Sequence, residues 1–200
     1  ALSFFVWSNS TVTANFATNP FIALKGIYTG LYYQTNDPAW DSSGFFTLTL
    51  AVNGTYSGKL QLAGSSYAFT GVFDLSLAST KRILRPGKSD LLISLQLADG
   101  SDQISGSVSN TDFFSELGGY RAPFSTTQPA SNFVGKYNLL LSGGTNPAAS
   151  PFGLGFAKMG VAAGGAITIA ATLADGTVAS QNVPLGGGGR EDTRQRPADV

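Results

Sequence analysis

Two short runs hold most of the side chains that could take part in chemistry. Asn36-Asp37-Pro38-Ala39-Trp40-Asp41-Ser42-Ser43 sets a carboxylate on either side of a tryptophan, and Ala98-Asp99-Gly100-Ser101-Asp102 sets two more on a turn, with Asp90 upstream. Carboxylate oxygens on turns are hard ligands that suit calcium better than a transition metal. Asp37 with Asp41, and Asp99 with Asp102, are therefore the candidate metal ligands, and calcium is the candidate cofactor. Neither run follows the EF-hand pattern, and Asp-Gly is in any case a favoured turn pair. The first run follows a stretch carrying Tyr28, Tyr32 and Tyr33. Aromatic faces flanked by Asp and Asn can grip a sugar or a peptide. Tyr33 and Trp40 are the candidate ligand-binding residues, while Tyr28 is expected in the core.

What is missing narrows the chemistry further. The 200 residues contain no cysteine and no histidine. Disulfides, thiolate nucleophiles, Cys/His zinc sites and a Ser-His-Asp triad are excluded within this chain. Charge is balanced, with 12 Lys and Arg against 12 Asp and Glu. A nucleic-acid binder needs a basic footprint, and an anionic membrane surface attracts a basic one; neither is present. Lys81-Arg82 and Arg85-Pro86-Gly87-Lys88 form a local basic loop that reads as a solvated turn. No apolar run approaches the roughly 18 residues of a membrane-spanning helix.

The elements that must carry these residues are strands. In 44–62, Phe46, Leu48 and Leu50 alternate with polar or small neighbours, and after Asn53-Gly54 the apolar parity continues at Tyr56, Leu60 and Leu62. Period two marks half-buried strands, and Asn-Gly marks a hairpin. A two-residue loop would put polar Thr55 on the face of Leu50. A three-residue loop, Val52-Asn53-Gly54, pairs Leu50 with Tyr56 and keeps both faces consistent. Gly54 is then expected at positive φ. Further alternation runs through 67–73, 91–97 and 104–108, with glycines at inward positions where a large neighbour can fill the space. One helical turn is expected near Asp112–Leu117. The whole reads as an all-β antiparallel barrel or sandwich of roughly ten to twelve strands.

The chain also repeats itself. Gly26-Ile27-Tyr28 is echoed by Gly135-Lys136-Tyr137 at an offset of 109, and 44–54 is echoed by 155–165 at an offset of 111. Apolar positions fall on apolar positions: Leu48 on Met159, Leu50 on Val161, Tyr56 on Ile167 and Leu62 on Leu173. Residues 21–186 are expected to form one β domain built from two related halves, 26–121 and 134–185, that close one sheet system together, because isolated hairpins are marginal in water. Residues 187–200 are glycine-rich and then charged, and are expected to be a disordered tail.

Trp7-Ser8 followed by Thr13-Ala14-Asn15-Phe16 resembles the closing turn and strand of the divergent internalin-type B-repeat, found in tandem on bacterial surface proteins. Gly26-x-Tyr28-Thr29-Gly30-Leu31, the run 44–50, Ser57-Gly58-Lys59-Leu60, the run 69–74, the run 104–109 and Leu173-Ala174-Asp175-Gly176-Thr177 are similar to β-rich segments that follow such repeats. The resemblance implies a secreted or cell-surface module, with residues 1–20 a remnant of an upstream repeat. It brings no catalytic residues with it. In similar segments the last of these motifs leads into another strand; here it is expected to run into the glycine-rich tail, as in a shortened module.

Together these observations point to a non-catalytic structural or binding module, whose partner is an extracellular carbohydrate or protein. The alternative is a calcium-dependent hydrolase of a small ester or lactone, the metal polarising the carbonyl and activating water. The apolar face of Val12, Ala14 and Phe16 is expected to add Thr11–Phe16 to a neighbouring sheet edge or to a second molecule.

Overall fold

The computed structural model describes residues 18–36, 38–142 and 153–187. The strand pairing expected of residues 11–16 and the tail beyond Gly187 lie outside these residues. The described residues form twelve strands and one short helix. Eight strands make one antiparallel sheet: β1 (Gly26–Tyr33), β2 (Gly44–Leu50), β3 (Thr55–Leu62), β4 (Ser65–Val72), β5 (Ala78–Ile83), β6 (Leu91–Leu97), β7 (Gln103–Ser109) and β8 (Phe114–Arg121). The order β4-β3-β2-β1-β8-β7-β6-β5 is two four-strand meanders joined where β8 pairs with β1. The free edges, β4 and β5, come together at one end, where Ser79 Oγ donates to Val72 O at 3.0 Å and lies 2.9 Å from Tyr56 Oη. The sheet is thus a nearly closed barrel.

Alternation decides which side chains enter it. Tyr28, Phe46, Leu48, Leu60, Ile93, Leu95 and Val108 are buried inside, while Thr49, Ser57, Lys59 and Gln61 face out. The outside is mixed, since Ile27, Leu31, Tyr33, Leu92 and Phe114 are exposed there as well. Helix α1 (Phe21–Leu24) plugs the barrel end with Phe21 and Leu24. Asn19 ties it down, its Nδ2 donating to Val52 O at 2.8 Å and its Oδ1 accepting from Phe21 N.

The hairpin register is the one alternation requires. Leu50 faces Tyr56, Ala51 N donates to Thr55 O at 2.9 Å, and Gly54 has φ +82°. Gly54 is also a packing requirement, because a Cβ there would lie 2.7 Å from the Phe21 ring.

The second sheet comprises β9 (Gly135–Ser142), β10 (Leu154–Val161), β11 (Ala166–Thr172) and β12 (Val178–Pro184), in the order β12-β11-β10-β9. It reproduces β1–β4 pair for pair. Gly26 faces Leu50 as Gly135 faces Val161, and Leu50 faces Tyr56 as Val161 faces Ile167. Phe73 N donates to Gly54 O, and Leu185 N to Gly165 O. Tyr28 Oη donates to Leu24 O, and Tyr137 Oη to Phe133 O, both at 2.7 Å.

The duplication is therefore real, but the halves do not share one sheet. The first curls until its own edge strands, β4 and β5, come together, and the second pairs only within itself. Two local expectations also change. Phe114–Arg121 is a strand, not a helical turn, because Ser115, Leu117 and Gly119 alternate inward. Leu173–Thr177 leads into β12 after all.

Gly54→Ala should destabilise the protein by ~2 kcal/mol or more in urea unfolding, since it combines positive-φ strain with a clash. Gly100→Ala, at φ +69° with open space around it, should cost only the backbone part. Equal losses would show that the Phe21 contact contributes nothing.

Candidate functional site

Strand parity sorts the aromatic cluster. On β1, Tyr28 and Tyr32 point into the barrel with no exposure, and Leu31 and Tyr33 point out. Tyr32 therefore does not belong with the exposed aromatics suggested by its neighbours in sequence. Its hydroxyl donates to Gln61 O at 2.6 Å. Burial pushes the Tyr28 hydroxyl up to about 12, with Arg121 opposing and Asp102 reinforcing. Burial raises Tyr32 further, against the lowering effect of Arg85.

The loop after β1 leads back into β2 and is anchored at its end. Ser42 N donates to Ala39 O at 3.2 Å, closing a turn around Trp40 and Asp41. From the far side of the chain, Ser115 Oγ on β8 donates to Ser42 O at 2.5 Å, and both serines are buried. Trp40 is thereby held out at 76% exposure. The edge of its indole lies over the Ala63-Gly64 turn, 3.7 Å from where a Gly64 Cβ would stand. Trp40 and Tyr33, the latter 46% exposed, line one groove of about 560 Å³. Leu31 and Phe45 contribute to its apolar lining, and Ser43, Gln61, Ser65 and Ser66 bring polar atoms to it. Among the described residues, none that lines it is charged. Ser43 Oγ is buried there without a hydrogen-bond partner.

The candidate metal ligands are placed differently. Asp37 lies outside the described residues. Asp41 and Asp99 are exposed on turns. Asp102 is only partly exposed, and its Oδ1 accepts from Arg121 Nε at 2.8 Å and from Arg121 Nη2. Arg121 Nη1 also donates to Ala23 O, and to Lys25 O at 3.2 Å, so this ion pair straps the plug segment to the barrel. Among the described residues, no group of three or more His, Cys, Asp or Glu side chains could hold a metal.

The basic loop is not simply solvated. Arg82 pairs with Asp90 at 2.5 Å, and its hydrogen bond is the main cause holding the Asp90 carboxyl below its usual range. Arg85 is buried, with Nε donating to Ser89 O at 2.7 Å and the guanidinium 5.6 Å above the Tyr67 ring. A guanidinium can bury against an aromatic face because it is planar and weakly hydrated. Nothing local to Arg85-Pro86-Gly87-Lys88 signals this, since Tyr67 comes from β4. Ser115 was equally invisible beforehand, because its partner lies 73 residues away.

Protein-family models, curated proteins and solved structures offer no match to this chain.

The buried tyrosines give a pH dependence of definite sign. Their folded pKa values lie above the unfolded value of about 10. Their contribution should be complete below about pH 10 and lost as pH rises through it towards about 12. Denaturant midpoints should be level near neutrality and fall over that interval, and Tyr32→Phe should flatten the fall. An alkaline slope identical in wild type and Tyr32→Phe would contradict the assignment to Tyr32.

Proposed function

We propose that this chain is a non-catalytic binding module of a secreted or surface protein, and that the Trp40 groove is its binding site. The observation that carries this is an exposed indole held in place by buried anchors. Ser115 and the turn at Ser42 fix the loop, and Gly64 supports the ring edge. The indole itself is not part of the core, since it is exposed while the core residues are buried. A rigid apolar face kept in water is a feature of binding surfaces.

The repeat supports the same reading. At the offset of 109, Tyr33 falls on Ser142 and Trp40 on Ala149, in Asn36-Asp37-Pro38-Ala39-Trp40 against Thr145-Asn146-Pro147-Ala148-Ala149. The scaffold residues recur and the two aromatics do not. They are additions to the unit rather than part of what folds it. The extracellular setting rests on the resemblance of the repeat-end motif and the β-rich segment to bacterial surface proteins, and the ligand on that reading is a carbohydrate or a protein. The hydrolase alternative gains no support from Asp102, whose charge is matched by Arg121.

Trp40→Ala should leave the melting temperature unchanged, because the side chain is exposed. It should abolish the rise in melting temperature that a bound oligosaccharide or peptide gives the wild type by mass action. Nitrophenyl esters and lactones should not be turned over with or without calcium. Calcium-dependent turnover lost in Asp102→Asn or Asp41→Asn would sink the non-catalytic reading.

A further inference from the structure

We infer that the Trp40 groove takes a neutral carbohydrate, a pyranose ring lying on the indole with its hydroxyls towards the serines. This rests on the binding reading above and narrows it.

Charge is the first argument. Among the described residues none that lines the groove is charged, and the neighbouring Asp41 is itself a carboxylate, so a phosphate, sulfate or carboxylate would lose hydration without gaining a cation there. The second argument concerns the backbone. A peptide lying on a sheet gains most of its affinity from a free strand edge. The groove sits mainly over β1, β2 and β3, each hydrogen-bonded to a neighbour on both sides, and reaches the edge strand β4 only at Ser65 and Ser66. The groove thus meets only the first two residues of an edge strand, a short row for an extended chain to pair with.

A sugar needs neither charge nor a strand edge. One face of a pyranose is a patch of C–H groups that packs on an aromatic ring, and its rim is a ring of neutral hydroxyls. The groove supplies both complements. Trp40 and Tyr33 give the groove exposed aromatic surface, with Gly64 leaving room beside the indole edge. Ser43, Gln61, Ser65 and Ser66 offer neutral donors and acceptors. Ser43 carries a specific further observation. Its hydroxyl is buried at the groove and makes no hydrogen bond. A buried hydroxyl without a partner is costly, and a ligand hydroxyl arriving at the groove would remove that cost. The volume of about 560 Å³ falls in the range of small-molecule sites, roughly 300–1,000 Å³.

The test is electrophoretic retardation of the full chain in gels containing, one at a time, a soluble β-1,4-glucan, a β-1,3-glucan, a mannan, a galactomannan and dextran, with alginate as the anionic control. At least one neutral polymer should retard the wild type, and the retardation should not change with added salt. Trp40→Ala should weaken it by about tenfold or more, as expected for truncating a tryptophan at the centre of a site. Ser43→Ala should weaken it less, with both variants melting like the wild type. Retardation by alginate alone, or retardation by a neutral polymer that Trp40→Ala leaves intact, overturns the inference. If no neutral polymer retards the protein but a displayed peptide library is captured through Trp40, the carbohydrate assignment falls and the binding function stands. If neither class shows Trp40-dependent binding, both fall.

Discussion

The barrel depends on how closely β1 and β8 can approach. Gly30 on β1 faces Gly119 on β8, and the ring of Phe46 from β2 fills the space beneath them. A Cβ at Gly30 would stand 2.8 Å from Phe46 Cε1, and one at Gly119 would stand 2.7 Å from Phe46 Cζ. Two absent side chains thus make room for one large ring, and Phe46 is fully buried as a result. Since β8 and β1 form the strand ladder that joins the two meanders, this seam turns two open four-strand units into one curved sheet. Glycine costs strand propensity, and here the cost is offset by burial of a phenylalanine, worth ~2–3 kcal/mol.

The same logic runs through the rest of the core. Gly58 sits under Phe69, with a Cβ position 2.6 Å from that ring. Phe21 and Leu24 fill one barrel end, and Tyr28 reaches back from the first strand to bond the carbonyl of Leu24. The second copy repeats this last device at Tyr137 and Phe133. It also repeats the glycine turn, with Gly165 at φ +81° against Phe124. What it lacks among the described residues is a meander equivalent to β5–β8. Several of its inward-parity residues, Met159, Ile167 and Ile169 among them, are consequently only half-buried, whereas the corresponding Leu48 and Tyr56 are buried. The unit is the same in both copies; what covers its concave face is not.

The groove inherits its rigidity from this scaffold. Its floor belongs mainly to strands paired on both sides, and its wall is a loop fixed to β8 through Ser115. The chain thereby carries a variable aromatic loop on a constant frame, the usual division of labour between loops and the elements that hold them.

Sequence alone determined the all-β class, the hairpin register at Leu50 and Tyr56, the repeat and its pairing, and the outward placement of Tyr33. All of these follow from period-two alternation and turn chemistry, which are local. It also singled out Trp40, because an aromatic in a Pro-Asp loop has no strand to bury it. Tertiary structure decided the rest. That Tyr32 is buried while Tyr33 points out is a matter of parity counted from Tyr28, and the cluster of aromatics in sequence obscured it. Whether Asp102 is free depends on Arg121, 19 residues away, and whether Arg85 is solvated depends on Tyr67 from another strand. The separate closure of the first half depends on the pairing of β1 with β8. Strand alternation says which face a residue takes but not which strand comes to lie beside it, because that choice is made by packing between residues distant in the chain.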